Sequence, residues 1–473
     1  MKKLFFLILF IFAFSLQAYA LNITYPTSQN IVVEENSIFF LGKIDRMEKV
    51  YINDCLITPN KYRAFSYFTT LKDGENIFAI KTKDIWGNIE TIKYVVIKDT
   101  SKKVKYHNEF IQNSPKYVLT TKDDVVLRNT PIDAGMNRLG YLPQNTQIVV
   151  DGVQNQFSRV YLAKDLFGWV KTSDIKDVPV INSEISQEET KNDESVKNFF
   201  EYIPNSIISS GKDKYNEELY TVKLTKNSPY SLVSDGSKVT LSVYNLDKLG
   251  EVAVKDFPLS KFGRYSLTMK DGIIDLIMKN PPITKLNYSN KNVKIVIDAG
   301  HGGSEIGAVG CLGHKEKNLN LEVAHKLKRI LEANHFDVYM TREKDTFVSL
   351  QNRVDFSISK DALIFISIHL NAVPISSNPA INTGTIVFYY NPVAKNLASE
   401  LSNEISKELG TKNNGASQAS FAVIRPTEYI GVLVELAYLC NPKDVPVYKS
   451  KLFSYRSAVG IYKGLINYIH KTL

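Results

Sequence analysis

The 473 residues are too many for one ordinary domain, and a length of about 150 residues per domain suggests three or four. A composition of 44% hydrophobic and 23% charged residues is typical of a folded protein, and three cysteines are too few for a disulfide framework. The formal charge of +9 favours an anionic partner, but the absence of a zinc finger, an RNP motif or a Lys/Arg-rich run excludes nucleic acid as that partner.

The first twenty residues predict a secretory signal peptide. Lys2 and Lys3 precede an apolar run that ends in Ala18-Tyr19-Ala20, a small-x-small cleavage pattern. The alternative is an uncleaved membrane anchor, and the apolar run is short for a membrane span. We therefore expect an exported protein without a transmembrane span after signal removal, located in the periplasm or otherwise secreted or associated with the cell wall.

Three β-rich modules are predicted in the amino-terminal part of the chain. Residues 21–99 alternate short β-rich runs with turns and resemble immunoglobulin-like β-sandwiches. Residues 116–178 contain VVLRNTP and FGWVKTSDI and resemble bacterial SH3-like barrels, with an unrelated small β module as the alternative. An acidic linker is predicted at 179–198, and residues 199–290 predict a third β-rich module of unassigned type.

Residues 291–473 show a different pattern, in which strands alternate with amphipathic helices. The apolar runs VKIVIDAG, ALIFISIHLN and YIGVLVELAYL predict strands. NLNLEVAHKLKRILEANH, AKNLASELSNEISKELG and SAVGIYKGLINYIHKTL predict helices, the second of which ends at Gly410. The predicted fold class is an α/β carboxyl-terminal domain with a mostly parallel sheet flanked by helices, preceded by two or three small all-β modules.

The ends of three predicted strands carry side chains that can bind a metal or transfer protons. In open α/β sheets functional side chains lie past the carboxyl ends of the strands, where this sequence has His301, His369 and Glu435. Two histidines and a carboxylate have the composition of a catalytic zinc site. Glu435 lies in an apolar run, where an ionised group is costly unless it is paired or near a metal. A further ligand could come from Glu316 or from its competitor His314.

Five motifs occur in order across residues 293–473, namely IDAGHGG, KEKNLNLEVAHKLKRILE, VYMTREKDTFVSLQNRVDFS, FISIHLNA and LVELAYLCNP. With these motifs the segment resembles the zinc-dependent N-acetylmuramoyl-L-alanine amidases of the amidase-3 family. The resemblance implies that His301, Glu316 and His369 bind Zn²⁺ and that Glu435 is the catalytic glutamate. It also implies the reaction, which is hydrolysis of the amide bond between N-acetylmuramic acid and L-alanine of the peptidoglycan stem peptide.

Two other functions remain as alternatives. A zinc peptidase could act within the stem peptide or the cross-bridge, because the residues alone do not separate the two kinds of amide bond. A catalytically inactive wall-binding protein would have lost a ligand or the glutamate, yet all four are present. The expected partner is peptidoglycan, on which the β modules would hold the enzyme, and a divisome or activator protein is a second candidate partner.

Overall fold

The computed structural model describes most of the chain between residues 21 and 472. The described residues are 21–44, 49–84, 86–101, 109–178, 201–202, 208–245, 249–279 and 293–472. The predicted signal peptide and the predicted acidic linker lie outside them. Within this described part, no helix is both long enough and apolar enough to cross a membrane.

The first β-rich segment is a sandwich of two sheets. Its strands are β1 (Leu21–Tyr25), β2 (Asn30–Val33), β3 (Ser37–Ile44), β4 (Lys49–Ile52), β5 (Cys55–Ile57), β6 (Ala64–Thr70), β7 (Gly74–Lys83) and β8 (Ile89–Lys98). The strand orders are β1-β3-β6 in one sheet and β2-β8-β7-β4-β5 in the other. The ring of Phe40 from the first sheet lies 5.1 Å from that of Phe78 in the second, so the two sheets share one core. The immunoglobulin-like type of this module stays a prediction.

The second segment is a single seven-stranded antiparallel sheet. Its strands are β9 (Ile111–Thr120), β10 (Val125–Arg128), β11 (Arg138–Leu142), β12 (Gln147–Gln154), β13 (Phe157–Ala163), β14 (Leu166–Lys171) and β15 (Ile175–Asp177). The order is β11-β10-β14-β13-β12-β9-β15. The first strand begins at Ile111, before the start predicted at residue 116. The SH3-like type of the module stays a prediction.

The third segment is a second sandwich, made of two four-stranded sheets. Its strands are β16 (Glu201–Tyr202), β17 (Ile208–Lys212), β18 (Glu218–Lys223), β19 (Tyr230–Ser234), β20 (Lys238–Tyr244), β21 (Val252–Pro258), β22 (Arg264–Lys270) and β23 (Ile273–Lys279). The orders are β16-β21-β20-β19 and β17-β18-β23-β22. Leu241 and Phe257 from one sheet and Leu276 from the other are buried in the same core.

The carboxyl-terminal segment is an α/β domain, as the sequence predicts. Its strands are β24 (Lys294–Ala299), β25 (Asp337–Met340), β26 (Ile364–Asn371), β27 (Thr385–Tyr389), β28 (Asn413–Gln418) and β29 (Ile430–Tyr438). Its helices are α1 (Glu316–Ala333), α2 (Leu350–Ser359), α3 (Lys395–Leu409), α4 (Val445–Tyr448) and α5 (Phe453–Thr472). The sheet order is β25-β24-β26-β29-β27-β28, and only the pairing of β27 with β29 is antiparallel.

Helices cover both faces of this sheet, but unequally. On one face α1, α3 and α5 pack over a large core that includes Ile297 and Ile366, and α3 ends at Gly410 with a φ of 68°. On the other face α2 and a short 3-10 helix cover a smaller core, in which the ring of Phe365 stacks on that of Tyr429 at 4.9 Å. The strands between them are buried on both sides, which explains their continuous apolar runs.

The first sandwich packs directly against the α/β domain. Phe39 and Leu41 of β3 and Ala64 of β6 belong to the same buried cluster as the core under α1 and α5. The side-chain amide of Asn60 donates a 2.6 Å hydrogen bond to the carbonyl oxygen of Pro442. Removing the sandwich would therefore expose apolar surface of the α/β domain.

The third module contacts the opposite, amino-terminal ends of the sheet strands. The buried guanidinium group of Arg264 donates 2.9 Å to the carbonyl oxygen of Ala362, just before β26. Tyr265 and Thr427 exchange hydrogen bonds, with the backbone amide of Tyr265 donating at 2.9 Å and the hydroxyl of Thr427 donating at 2.6 Å. The first sandwich thus contacts the α/β domain near the carboxyl ends of its central strands, and the third module contacts it near their amino-terminal ends.

The cysteines do not form a disulfide. Cys311 and Cys440 are both buried and free, and the sulfur of Cys311 lies 3.4 Å from the carbonyl oxygen of Cys440. Burial raises the pKa of the Cys440 thiol to about 11, so this thiol is protonated at neutral pH. Cys55 is free and exposed.

Candidate metal centre

Adjacent parallel strands bring the predicted site residues to one edge of the sheet. His301 follows the end of β24, His369 lies near the end of β26, and Glu435 lies on β29. His369 and Glu435 are direct partners in the parallel register of β26 and β29. Glu316 is the first residue of α1, which begins after the loop that follows His301.

His301, Glu316 and His369 form a compact cluster whose three potential ligand atoms all lie within 4.8 Å of one another. Nε2 of His301 lies 3.2 Å from one carboxylate oxygen of Glu316, and Nδ1 of His369 lies 2.8 Å from the other. Two backbone amides also donate to this carboxylate, Ala308 at 2.7 Å and Leu370 at 3.2 Å. The carboxylate is therefore held between the two imidazole rings.

The electrostatics of the cluster keep Glu316 ionised. Burial alone would raise the pKa of Glu316, but hydrogen bonds and charge interactions with His301 and His369 outweigh it and hold this pKa well below its usual range. Burial would likewise lower the pKa of His301, and its hydrogen bond to Glu316 outweighs that effect and raises the pKa. An ionised carboxylate beside two imidazoles is a donor set that suits a divalent cation.

Glycines make room for this cluster at two points. A Cβ atom on Gly300 would overlap the ring of His369. A Cβ atom on Gly307, which has a φ of 68°, would lie 2.5 Å from a carboxylate oxygen of Glu316 and 2.6 Å from Cδ2 of His301. Larger residues at either position would displace the clustered side chains.

Glu435 lies beside the cluster as a buried carboxylate. Only 9% of the residue is exposed, and Oε2 has no hydrogen-bond partner among the described residues. Burial, together with the negative charge of Glu316, raises the pKa of Glu435 well above its usual value. A buried polar atom without a partner is costly, so this oxygen fits a group that receives a ligand, such as a substrate or a water molecule.

His314, the competitor of Glu316 in the sequence, is not part of the cluster. Its ring packs edge-on against that of Tyr448 at a centroid distance of 5.4 Å. Burial lowers the pKa of His314 and favours its neutral form. The geometry thus favours Glu316 over His314 as the third member of the cluster.

A buried ion pair that the sequence analysis did not identify supports the loop of His301. The guanidinium group of Arg353 in α2 lies 2.5 Å from the carboxylate of Asp298, and it donates 2.8 Å to the carbonyl oxygen of His301. His301 has a φ of 59°, which is costly for a residue with a side chain. The hydroxyls of Thr341 and Ser367 donate to the same carboxylate at 2.6 and 2.7 Å.

Comparison with known proteins points to one family. Residues 295–467 match the family model described as N-acetylmuramoyl-L-alanine amidase. The chain is 29% identical over 278 residues to the N-acetylmuramoyl-L-alanine amidase LytC of Bacillus subtilis, covering 56% of each chain. It is 38% identical over 192 residues to the probable cell wall amidase LytH of Staphylococcus saprophyticus, covering 40% of this chain and 62% of that protein.

The curated relatives extend well beyond the matched region, since the chain spans less than two thirds of the length of these two. Among solved structures, the N-acetylmuramoyl-L-alanine amidase AmiC2 of Nostoc punctiforme is 34% identical, with 38% of this chain and 99% of that chain covered and a TM-score of 0.36. The residues that match the N-acetylmuramoyl-L-alanine amidase family model, 295–467, contain the cluster of His301, Glu316 and His369 together with Glu435.

Proposed function

We propose that the α/β domain is a zinc-dependent peptidoglycan hydrolase, which cleaves the amide bond between N-acetylmuramic acid and L-alanine of the stem peptide. The observation that carries the proposal is the cluster of His301, Glu316 and His369 beside the buried Glu435, in a segment that matches an amidase family. The match supplies the identity of the bond, because the side chains alone suit hydrolysis of any amide.

The three clustered side chains fit Zn²⁺. One carboxylate and two imidazole nitrogens are borderline and hard donors of the kind that zinc prefers, and three protein ligands are the number found in catalytic sites. The carboxylate of Glu316 is ionised and pre-positioned by two backbone amides. When bound there, Zn²⁺ would polarise the scissile carbonyl group and make water a better nucleophile at neutral pH.

Glu435 acts in this proposal as the proton carrier of the reaction. Its carboxylate accepts a proton from the attacking water and then donates it to the departing amine of L-alanine. Glu435 lies beside the cluster because it pairs with His369 in the register of β26 and β29. Its burial keeps bulk water from competing for the proton. Arg353 and Asp298 hold the His301 loop in place during the reaction.

The site of action follows from the same proposal. We place the protein outside the cytoplasmic membrane, in the periplasm or at the cell wall, because the first twenty residues have the pattern of a signal peptide. The name of the staphylococcal relative, a probable cell wall amidase, supports a role at the wall. A divisome or activator protein remains a proposed second partner.

The test is the variant His301→Ala in the full chain, with His335→Ala as the matched control. Both histidines have a positive φ, of 59° and 67°, so both substitutions act on the same backbone conformation, but His335 is exposed and lies outside the cluster. We expect His301→Ala to lose bound zinc and wall hydrolysis, and His335→Ala to keep both. Near wild-type hydrolysis by His301→Ala would refute the ligand assignment.

Mass spectrometry of the digested wall separates the alternatives. Free stem peptides that begin with L-alanine are released only by an amidase, whereas a peptidase would leave L-alanine attached to the muramic acid. A protein that contains no zinc and releases neither product would be an inactive wall-binding protein.

A further inference from the structure

A basic cleft lies between the first sandwich and the α/β domain. It has a volume of about 350 Å³ and is lined by residues of both parts, namely Lys43, Ile44, Tyr62, Arg63, Leu312, His314 and Lys449. Lys43 and Arg63 come from the sandwich, and Lys449 comes from the chain just after α4. No acidic residue lines the cleft in the described part of the chain.

The cations of this cleft form no ion pair within the described part of the chain. Among the described residues, no carboxylate lies within ion-pair distance of Lys43, Arg63 or Lys449, although many other lysines on this protein have such partners. The ammonium group of Lys449 lies instead over the ring of Tyr62, 4.9 Å from its centroid. The fold thus gathers three cations around one cleft without an ion-pair partner, although the charge of Glu322 also acts on His314 of its lining. Such a group of like charges favours the binding of an anion.

One residue of the cleft lining, His314, has a polar atom that lacks a partner. Nδ1 of His314 is buried and makes no hydrogen bond with any described residue. The ring packs edge-on against that of Tyr448. An unpartnered buried nitrogen on a residue of the lining is a second observation that sets this cleft apart, beside the three unpaired cations.

The cleft is connected to the candidate metal centre through the chain. Leu312 and His314 belong to the loop that leads into Glu316, and this loop is closed by a 2.9 Å hydrogen bond from the amide of Gly310 to the carbonyl oxygen of His314. Because the sandwich supplies the other wall, the cleft forms only when the sandwich is docked, as the hydrogen bond from Asn60 to Pro442 shows it to be.

We propose that this cleft binds an oxyanion, a carboxylate or phosphate group, of the cell wall. The guanidinium group of Arg63 and the two ammonium groups would supply charged hydrogen bonds to its oxygens. The anion site follows from the cleft alone, whereas its assignment to the wall rests on the proposed amidase function. The first sandwich would then bind substrate together with the α/β domain, at their shared boundary.

The test is a triple variant, Lys43→Gln, Arg63→Gln and Lys449→Gln, measured for binding to purified cell walls in a Glu435→Gln background that prevents digestion. The control variant combines Lys93→Gln, Lys326→Gln and Arg329→Gln, which removes the same charge from exposed positions outside the cleft. We expect the cleft variant to lose about tenfold or more in affinity, the effect of about one lost charged hydrogen bond. The control should lose less than about threefold, as expected for scattered surface charge.

Two further arms identify the anion. If wall phosphate is bound, walls stripped of phosphate polymers should bind wild type and the cleft variant equally. If a stem-peptide carboxylate is bound, stripping should leave the difference in wall affinity between the wild type and the cleft variant unchanged. Chemical amidation of the wall carboxylates should then remove that difference. Equal losses by the cleft and control variants would overturn the proposal, since only net charge would then matter.

Folding and the proposed function are checked separately. Lys449 is the exposed one of the three cations of the cleft. Lys449→Gln alone should therefore also weaken binding to cell walls, even if the triple variant is less stable. Wall binding needs no turnover, so a digest that releases no stem peptides beginning with L-alanine would refute the amidase proposal and leave the anion site intact. Unchanged binding by both Lys449→Gln and a folded triple variant would refute the anion site alone.

Discussion

The ion pair between Asp298 and Arg353 should be a main determinant of the stability of the α/β domain. Both side chains are almost completely buried, with 1% and 3% of their surface exposed, and their charged atoms are 2.5 Å apart. The variant Asp298→Asn keeps the size of the side chain and can still accept from the hydroxyl of Thr341 or Ser367. It leaves the guanidinium charge buried without a counter-charge, which costs about 3–5 kcal/mol.

The matched control is Asp54→Asn in the first sandwich. Asp54 also forms an ion pair, at 2.8 Å from Lys81, but 83% of its side chain is exposed. Water screens such a pair, so the same substitution there should cost only about 0–1 kcal/mol. The two variants therefore differ in burial and not in the chemistry of the change.

The assay is hydrogen exchange in the full chain, followed by mass spectrometry of peptides from β24 and from β7. It reports the free energy of opening at each strand separately, which suits a chain with several modules. Asp298→Asn should speed exchange in β24 by at least a hundredfold, while Asp54→Asn should change exchange in β7 by less than tenfold. If Asp298→Asn has no larger effect than Asp54→Asn, the ion pair is not stabilising and our reasoning about burial is wrong.

Three further predictions address catalysis, domain packing and pH. Glu435→Gln should retain bound zinc but lose about a hundredfold or more in the rate of wall hydrolysis, because proton transfer is removed while the metal ligands stay. Loss of zinc from this variant would contradict the role of Glu435 as a proton carrier. Deleting residues 21–101 should reduce turnover of a small soluble substrate as well as wall binding, because the deletion exposes the apolar surface of the α/β domain that Phe39 and Leu41 cover. Full turnover by the truncated chain would argue against a shared core. Burial alone would raise the pKa of Asp298, but the charge of Arg353 and hydrogen bonds outweigh it and lower this pKa. The contribution of the ionised Asp298 to folding stability is therefore complete above about pH 4 and is lost as the pH falls toward the lowered pKa. Unfolding midpoints between pH 3 and 6 should thus fall less steeply for Asp298→Asn than for the wild type, and equal slopes would contradict this.

The elements of the α/β domain that were predicted from the sequence each have one dominant pattern. Strands β26 and β29 are long apolar runs, and α3 has a regular apolar face and a terminal glycine. Strand β28, with the sequence NNGASQ, escaped prediction since it is a polar edge strand that is held by pairing with β27. Helix α2 escaped because its buried side includes Arg353 and Ser357, which a hydrophobic pattern does not detect.

The candidate site was predictable only in part. Strand ends indicated His301, His369 and Glu435, while the choice between Glu316 and His314 needed either a family resemblance or coordinates. The ion pair between Asp298 and Arg353 could not be predicted from the sequence, because it joins residues 55 positions apart and no local pattern encodes such a contact. A charged residue inside the apolar run VIDAG was nevertheless a signal that a partner must exist somewhere in the fold.

The docking of the first sandwich also left a signal in the sequence. A strand with one face in a core and one in water alternates apolar and polar residues. Strand β3, SIFFLGKI, is buried at six consecutive positions instead. Phe40 points into the core of the sandwich, while Phe39 and Leu41 point into the core of the α/β domain. An unbroken apolar run in a three-stranded antiparallel sheet thus requires a second covered face, and here that cover is the domain that contains the candidate metal centre.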